Sequence, residues 1–91
     1  MEIRVLRRTK DELVLEIMGE DDTLGNLISK EAMKHPKVLY STYRIPHPLQ
    51  DKLEITIKLK EGVDPGEVLV EVVENIRKIL NEFRREVSKK L

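Results

Sequence analysis

The feature that most constrains the fold of this chain is a long apolar stripe near its C-terminus. The run Asp64-Pro65-Gly66-Glu67 is a strong helix start, because Asp can cap the first turn and Pro fits its first position. The predicted helix continues to about Lys89. Its apolar residues recur at helical spacing along the whole length: Val68, Leu69, Val72, Val73, Ile76, Ile79, Leu80, Phe83 and Val87.

Four segments ahead of this helix have strand patterns. Residues 2–8 and 12–18 alternate apolar and polar side chains, and 53–60 alternates most regularly. Residues 38–45 are rich in β-branched and aromatic side chains. Because alternation leaves one face of each strand polar, we expect an antiparallel sheet with helices on one side only.

A short helix is predicted between the second and third strands. Asp22 or Thr23 can cap its start, and Pro36 ends it, since proline cannot donate to the helical hydrogen bonds. The element order is therefore β-β-α-β-β-α. This order predicts an α+β fold, a two-layer sandwich of one antiparallel sheet with two helices on one face, in which residues 1–91 form a single domain.

The C-terminal helix is too long for its sheet. About 25 helical residues span roughly 37 Å, whereas a strand of about seven residues spans only about 23 Å. Either the helix curves over its own core with a frayed tail, or another chain covers part of its stripe. We favour the second interpretation, because a bare stripe would be an exposed apolar patch of the kind that marks interfaces. Small domains also commonly gain stability by oligomerising.

Composition excludes several classes of function. Lysine plus arginine equal aspartate plus glutamate at 17 each, which argues against a protein that mainly grips phosphates. No cysteine is present, so there is no thiolate site. No apolar run is long enough for a membrane span or a signal peptide, and we expect a cytoplasmic protein. The high content of Glu, Lys and Arg fits a heat-adapted organism, which we hold as a hypothesis.

The sequence contains no credible active site. His35 and His47 are the only histidines, each precedes a proline, and they lie in different elements. Ser29 and Ser41 have no evident general base. We therefore predict no catalytic residue, no metal and no cofactor.

Two details of the middle of the chain need a reason. Gly25 lies in the first helix, where glycine costs up to about 1 kcal/mol relative to alanine. Either the loss of helix stability is small because Gly25 lies at the frayed end of the helix, or a neighbouring element approaches the backbone too closely for a side chain to fit. Pro46 and Pro48 lack amide hydrogens and hold Ile45 and His47 extended, which predicts a stiff loop rather than more sheet.

These residues also carry a resemblance to a known family. The runs Thr23-Leu24-Gly25-Asn26 and Tyr43-Arg44-Ile45-Pro46-His47-Pro48-Leu49 resemble motifs of the small α-like subunits of RNA polymerase. That family includes archaeal subunit L, its eukaryotic counterparts and the dimerisation module of the bacterial α subunit. Both motifs are intact, and the resemblance covers nearly the whole chain in the same element order.

The resemblance implies a role in assembly. A family member pairs with the larger α-like subunit of the polymerase through the first and last helices of each partner. The heterodimer is the platform for the two large catalytic subunits of DNA-dependent RNA polymerase. The family subunit itself holds no catalytic residue, metal or nucleotide, and we expect no direct binding of nucleic acid, membrane or small molecule.

The resemblance and the apolar stripe together predict two sets of site residues. The first should divide between the chain's own core and the partner interface: Leu24, Gly25, Leu27, Ile28, Val72, Val73, Ile76, Leu80 and Phe83. The second is a structural or docking motif: Thr23, Asn26, Tyr43, Pro46, His47, Pro48 and Leu49.

One position departs from the family pattern. Relatives often carry arginine where this chain has Ser29-Lys30. Lys30 can replace the charge but not a bidentate arginine contact, so the place where a large subunit docks stays open.

Three other interpretations remain. The chain could bind nucleic acid through Arg7, Arg8 and Lys10, or be a small enzyme on a similar fold. It could also form a homodimer, because the same interface can be self-complementary.

Overall fold

One antiparallel four-stranded sheet carries two helices on a single face in the computed structural model, which describes residues 1–91. The elements are β1 Glu2–Arg8, β2 Glu12–Met18, α1 Asp22–Met33, β3 Val38–Arg44, β4 Lys52–Leu59 and α2 Pro65–Lys90. The predicted fold class and element order are confirmed.

The strand order in the sheet is β1-β2-β4-β3. β1 and β2 form a hairpin, and β4 then lies between β2 and β3. The chain therefore leaves β2, passes through α1 and returns as β3 on the far side of β4. This connection places α1 over the β3 side of the sheet and leaves β1 at the opposite edge.

The core lies between β4 and the two helices. Leu53, Ile55, Ile57 and Leu59 alternate along β4 and are almost completely buried. The helices contribute Ile28, Ala32, Val68 and Val72 to the same cluster. The core is small, as expected for a chain of 91 residues.

The other face of the sheet is polar and carries a row of charges across all four strands. Arg4 on β1 pairs with Glu16 on β2 at 3.5 Å. Next to it, Arg44 on β3 donates through Nε and Nη2 to the two carboxylate oxygens of Glu54 on β4, at 3.1 and 3.2 Å. Each such surface pair contributes little to stability. A slip of one residue would turn this charged row towards the core, so the row favours the observed register.

Each helix begins at an aspartate cap. The Asp64 carboxylate accepts from the Gly66 amide at 3.2 Å, and Pro65 is the first residue of α2, as the sequence predicts. At α1 the prediction of Asp22 or Thr23 as the cap is wrong by one or two residues. Asp21 is the cap, and its carboxylate accepts from the Thr23 amide at 3.0 Å. Adjacent aspartates have the same capping chemistry, so the sequence does not distinguish them.

A hydrogen bond holds the tight turn between β1 and β2. The Thr9 hydroxyl donates to the Asp11 carboxylate at 3.0 Å, and this bond lowers the pKa of Asp11 below its ordinary value. Lys58 on β4 lies 3.4 Å from the same carboxylate and acts in the same direction.

Neither helix has a stretch that is both long and apolar enough to cross a membrane.

Candidate partner interface

The outer half of α2 extends beyond the sheet with its apolar side uncovered. The helix has 26 residues and so spans about 39 Å, against about 27 Å for the eight residues of β4. Val68 and Val72 in its first half are buried in the core. Farther along, Leu80 and Phe83 are 59% and 66% exposed. The apolar stripe thus begins inside the molecule and ends outside it.

A second uncovered apolar surface lies between the helices and the β1 side of the sheet. It is a cavity of about 320 Å³ whose lining is entirely hydrophobic. Ile3 and Leu15 line it from the sheet, Leu24 from α1, and Leu69 and Val73 from α2. Since α1 packs over β3 and every residue of β1 is exposed, no element of this chain closes the cavity. Val73 joins the cavity to the apolar stripe of α2.

The nine residues predicted to divide between core and interface fall into three groups. Gly25, Ile28 and Val72 are buried within the chain. Leu24 and Ile76 are half-buried against the core. The remaining four are exposed: Leu27, Val73, Leu80 and Phe83. The first group therefore belongs to the core of this chain, and contact of the others with a partner stays a prediction.

Gly25 lies where two side chains of the same chain reach the backbone of α1. A Cβ atom at this position would stand 2.6 Å from Cδ2 of Tyr43 and 2.7 Å from Cδ1 of Leu53. Real Cβ atoms are essentially never found that close to another heavy atom. Of the two explanations for this glycine, close approach by a neighbouring element fits the geometry, and that element is the sheet beneath the helix.

The two family-like motifs meet at this contact. Tyr43, the first residue of the second motif, packs on Gly25 of the first. In the first motif, Thr23 donates its amide to the cap, whereas Asn26 is exposed. The sequence separates the motifs by 16 residues, and the β2-α1-β3 connection brings them together.

The loop after β3 is short, with one hydrogen bond inside it and one that joins its end to the residue after β2. The Gln50 amide donates to the His47 carbonyl at 3.0 Å, and the Gly19 amide donates to the Asp51 carbonyl at 2.6 Å. Pro46 is half-buried, whereas His47, Pro48 and Leu49 are exposed, and Leu49 is exposed completely. The loop therefore presents an apolar side chain at its tip.

The two histidines have different surroundings. His35 accepts the Lys37 amide at Nδ1, at 3.1 Å, so its Nε2 carries the hydrogen and donates to Glu71 at 2.5 Å. This pair connects the end of α1 to α2. His47 makes no side-chain hydrogen bond, and the chain has no group of three or more His, Asp or Glu placed to hold a metal ion.

The N-terminal bases considered for nucleic-acid binding are largely neutralised. Arg7 pairs with Glu12 and Arg8 with Asp64, each at 2.9 Å. Lys10 alone of the three has no ion-pair partner. One unpaired cation is far fewer than the several that phosphate binding requires.

Sequence reasoning missed the contribution of β1 to the uncovered surface. Met1 and Ile3 line the cavity, and their alternation in the sequence looks like that of any edge strand. The signal that could have found them is topological. A helix that connects β2 to β3 lies over the β3 side of the sheet and does not itself cover the β1 side.

Comparison with known proteins agrees with this geometry. Residues 12–86 match the profile of the RNA polymerase Rpb3/Rpb11 dimerisation domain. DNA-directed RNA polymerase subunit Rpo11 of Saccharolobus solfataricus is 39% identical over 88 residues, which cover 97% of this chain and 96% of the relative. The protein of the same name from Metallosphaera sedula is 40% identical, with coverages of 97% and 98%.

A solved structure has the same fold. The crystal structure of DNA-directed RNA polymerase subunit L from Thermoplasma acidophilum superposes with a TM-score of 0.84 at 25% identity. The match covers 98% of this chain and 87% of that one. The chain therefore belongs to the RNA polymerase Rpb3/Rpb11 dimerisation domain family.

Proposed function

We propose that this chain is a non-catalytic subunit of DNA-directed RNA polymerase, equivalent to archaeal subunit L, and that it pairs obligately with the larger α-like subunit. The observation that carries the proposal is the continuous apolar surface formed by the cavity beside β1 and the outer half of α2. Residues 1–91 act as one dimerisation domain in this account, and the protein works in the cytoplasm.

The size of the exposed side chains supports an interface. Burying a Leu or Phe side chain stabilises a complex by about 1.5–3 kcal/mol relative to leaving it in water. Leu80 and Phe83 are mostly exposed, and Val73 and Ile79 are about half exposed on the same helix. Contiguous apolar surface of this kind marks interaction sites on soluble proteins. A partner that covers this surface would also compensate for the small core.

In this role the chain provides a binding surface for assembly and catalyses no reaction itself. The pair with the larger α-like subunit would form the platform on which the two large catalytic subunits assemble. Such a platform acts by burying surface and fixing orientation, so it needs no cofactor and no titrating group. The family membership and the names of the relatives support this assignment.

Ser29-Lys30, where this chain departs from the family pattern, contains one residue that could contact a large subunit. Ser29 is buried on the inner side of α1, whereas Lys30 is exposed in the last turn of that helix. We infer that the Lys30 ammonium contacts a large subunit. It would do so through a single charged group rather than through the two parallel hydrogen bonds of an arginine.

The proposal is tested by reconstitution of the polymerase from purified subunits. Without this chain, the larger α-like subunit should fail to bring the two catalytic subunits into one complex, and RNA synthesis should be lost. Adding the chain should restore both. Complete assembly and full activity in its absence would contradict the proposed role.

We further propose that the motif from Tyr43 to Leu49 is a rigid structural or docking loop, because Tyr43 packs on Gly25 at one end and Leu49 is fully exposed at the other. Replacing both Pro46 and Pro48 with alanine should loosen the loop and reduce the yield of reconstituted polymerase several-fold. Pairing with the larger α-like subunit should stay intact. The readouts are the yield of assembled enzyme by gel filtration and the melting temperature of the chain. If neither changes, the loop has no part in assembly.

A further inference from the structure

The outer half of α2 also carries a polar surface that is rich in basic side chains. We define the basic stripe as Arg77, Lys78, Asn81, Arg84, Arg85 and Lys89. Between residues 77 and 90 the sequence has six basic and two acidic residues, whereas residues 61–76 have five acidic and no basic ones. Lys78, Asn81, Arg84 and Arg85 line a shallow polar depression on the helix.

Most of this charge has no partner within the chain. Lys78, Arg84 and Arg85 form no salt bridge and no side-chain hydrogen bond. Arg77 reaches Glu74 at 3.7 Å, and Lys89 reaches Glu86 at 3.4 Å. The centre of the basic stripe is therefore free positive charge on an exposed helix.

Helix stability does not account for the stripe. Cations interact favourably with the helix dipole only within about the last turn, which here contains Lys89 and Lys90. Arg77 and Lys78 lie about three turns or more from the end. Arg85 and Lys89 are like charges four residues apart, a spacing that is destabilising by a few tenths of a kcal/mol, whereas Glu74 and Lys78 at the same spacing are stabilising by a similar amount. Pairs along the helix therefore give no clear gain in stability that would account for the stripe.

Most of the basic stripe faces away from the apolar side of α2. At about 100° per residue, Lys78, Asn81, Arg85 and Lys89 lie within about 80° of one another around the helix axis. Their mean direction is about 180° from the line of Ile76, Leu80 and Phe83, whereas Arg77 and Arg84 lie about 75–95° from that line. A partner that covers the apolar side therefore leaves most of the basic stripe in solvent, available to a third component.

We propose that the basic stripe binds an acidic protein segment of a further polymerase subunit. This inference rests on the proposed pairing, which places the stripe on the outer surface of the heterodimer. Arginine is suited to such a partner, because its planar guanidinium matches a carboxylate with two parallel hydrogen bonds. Successive cations along the stripe would meet Asp or Glu side chains on an extended or helical segment.

The surroundings of the stripe favour a protein over a nucleic acid. No aromatic side chain is available for base stacking, because Phe83 lies on the apolar side and both tyrosines are on β3. Glu74 at the inner end and Glu82 along one side would repel a phosphate backbone. The whole chain has no net charge to attract one over distance.

The test is site-specific photo-crosslinking in the reconstituted polymerase. A photoreactive amino acid replaces Asn81 at the centre of the stripe, and pairing with the larger α-like subunit is first verified by light scattering. Irradiation should join position 81 to an Asp- and Glu-rich segment of a third protein subunit, identified by mass spectrometry. Charge reversal by Arg84→Glu with Arg85→Glu should lower the adduct yield about tenfold, since two attractive charges become repulsive.

The matched control reverses the charge of two exposed lysines that lie outside the basic stripe. Lys10→Glu with Lys60→Glu makes the same change in net charge away from the stripe and should leave the adduct yield within about twofold. An adduct with DNA or RNA, an adduct only with the larger α-like subunit, or no adduct would overturn the inference. If the unmodified chain fails to pair, the proposed function falls as well. Pairing without the expected adduct refutes the basic-stripe proposal alone.

Discussion

Replacing Leu80 and Phe83 with aspartate should abolish pairing with the larger α-like subunit and leave the chain's own fold unchanged. Both side chains are more than half exposed and take no part in the core cluster. Each should contribute about 1.5–3 kcal/mol to the complex through burial. Two carboxylates in the same place would also have to lose their hydration. We expect a loss of at least about 4 kcal/mol, which is close to a thousandfold in the dissociation constant.

The measurement is isothermal titration calorimetry of the two purified subunits. Val70→Asp is the matched control, because Val70 is 61% exposed on the same helix but faces away from the apolar side. It should bind with nearly unchanged affinity. If the double variant binds as tightly as the natural chain, or if Val70→Asp weakens binding equally, the interface lies elsewhere.

Replacing Gly25 with alanine should destabilise the chain, although alanine is the better helix former. The added Cβ would meet the Tyr43 ring and Leu53 at 2.6–2.7 Å, and both belong to the sheet beneath α1. Overpacking of this kind costs about 1–3 kcal/mol. The gain in helix propensity is at most about 1 kcal/mol and is smaller in a first turn. We expect a net loss of about 1–2 kcal/mol in the free energy of unfolding, measured by chemical denaturation.

Gly66 provides the matched control for that substitution. It also lies in the first turn of a helix, but a Cβ there would first meet the end of the Arg8 side chain, at 3.3 Å. A guanidinium on a flexible side chain can move aside. Gly66→Ala should therefore leave stability unchanged or raise it slightly. Equal stabilisation by both substitutions would show that Gly25 is an ordinary helix-end glycine.

The sequence was sufficient to predict the elements and their order. The alternation of Leu53, Ile55, Ile57 and Leu59 is a local pattern, and it predicts a strand with one buried face wherever that strand lies in the sheet. The length of α2 follows in the same way from its stripe and its Asp64 cap. Such features depend on neighbouring residues only.

The sequence was not sufficient to divide the apolar stripe between core and partner. Val72 and Val73 are adjacent and chemically identical, yet one is fully buried and the other is half exposed beside the cavity. The two side chains point about 100° apart around the helix, and Val73 faces the cavity beside β1. That side is uncovered because the strand order puts β1 at the edge of the sheet. Periodicity defines the apolar side of a helix but does not show what covers it.

The contact between Gly25 and Tyr43 was also beyond local reasoning. The two residues lie in different elements, and only the β2-α1-β3 connection brings them together. The resemblance to a family pointed to both motifs without saying that they touch. The basic residues of α2 are visible in the sequence, where the helix dipole suits those near its end. Only the structure shows that Arg84 and Arg85 have no partner in the chain.

The central claim is that this chain is half of an obligate pair. The most direct measurement is the mass, by light scattering coupled to gel filtration, of the chain mixed in equal amounts with the larger α-like subunit. We predict a single species whose mass is the sum of one copy of each, 10.6 kDa of it from this chain. Two separate species, or a dimer of this chain that persists at twice that mass in the presence of the larger subunit, would contradict the account.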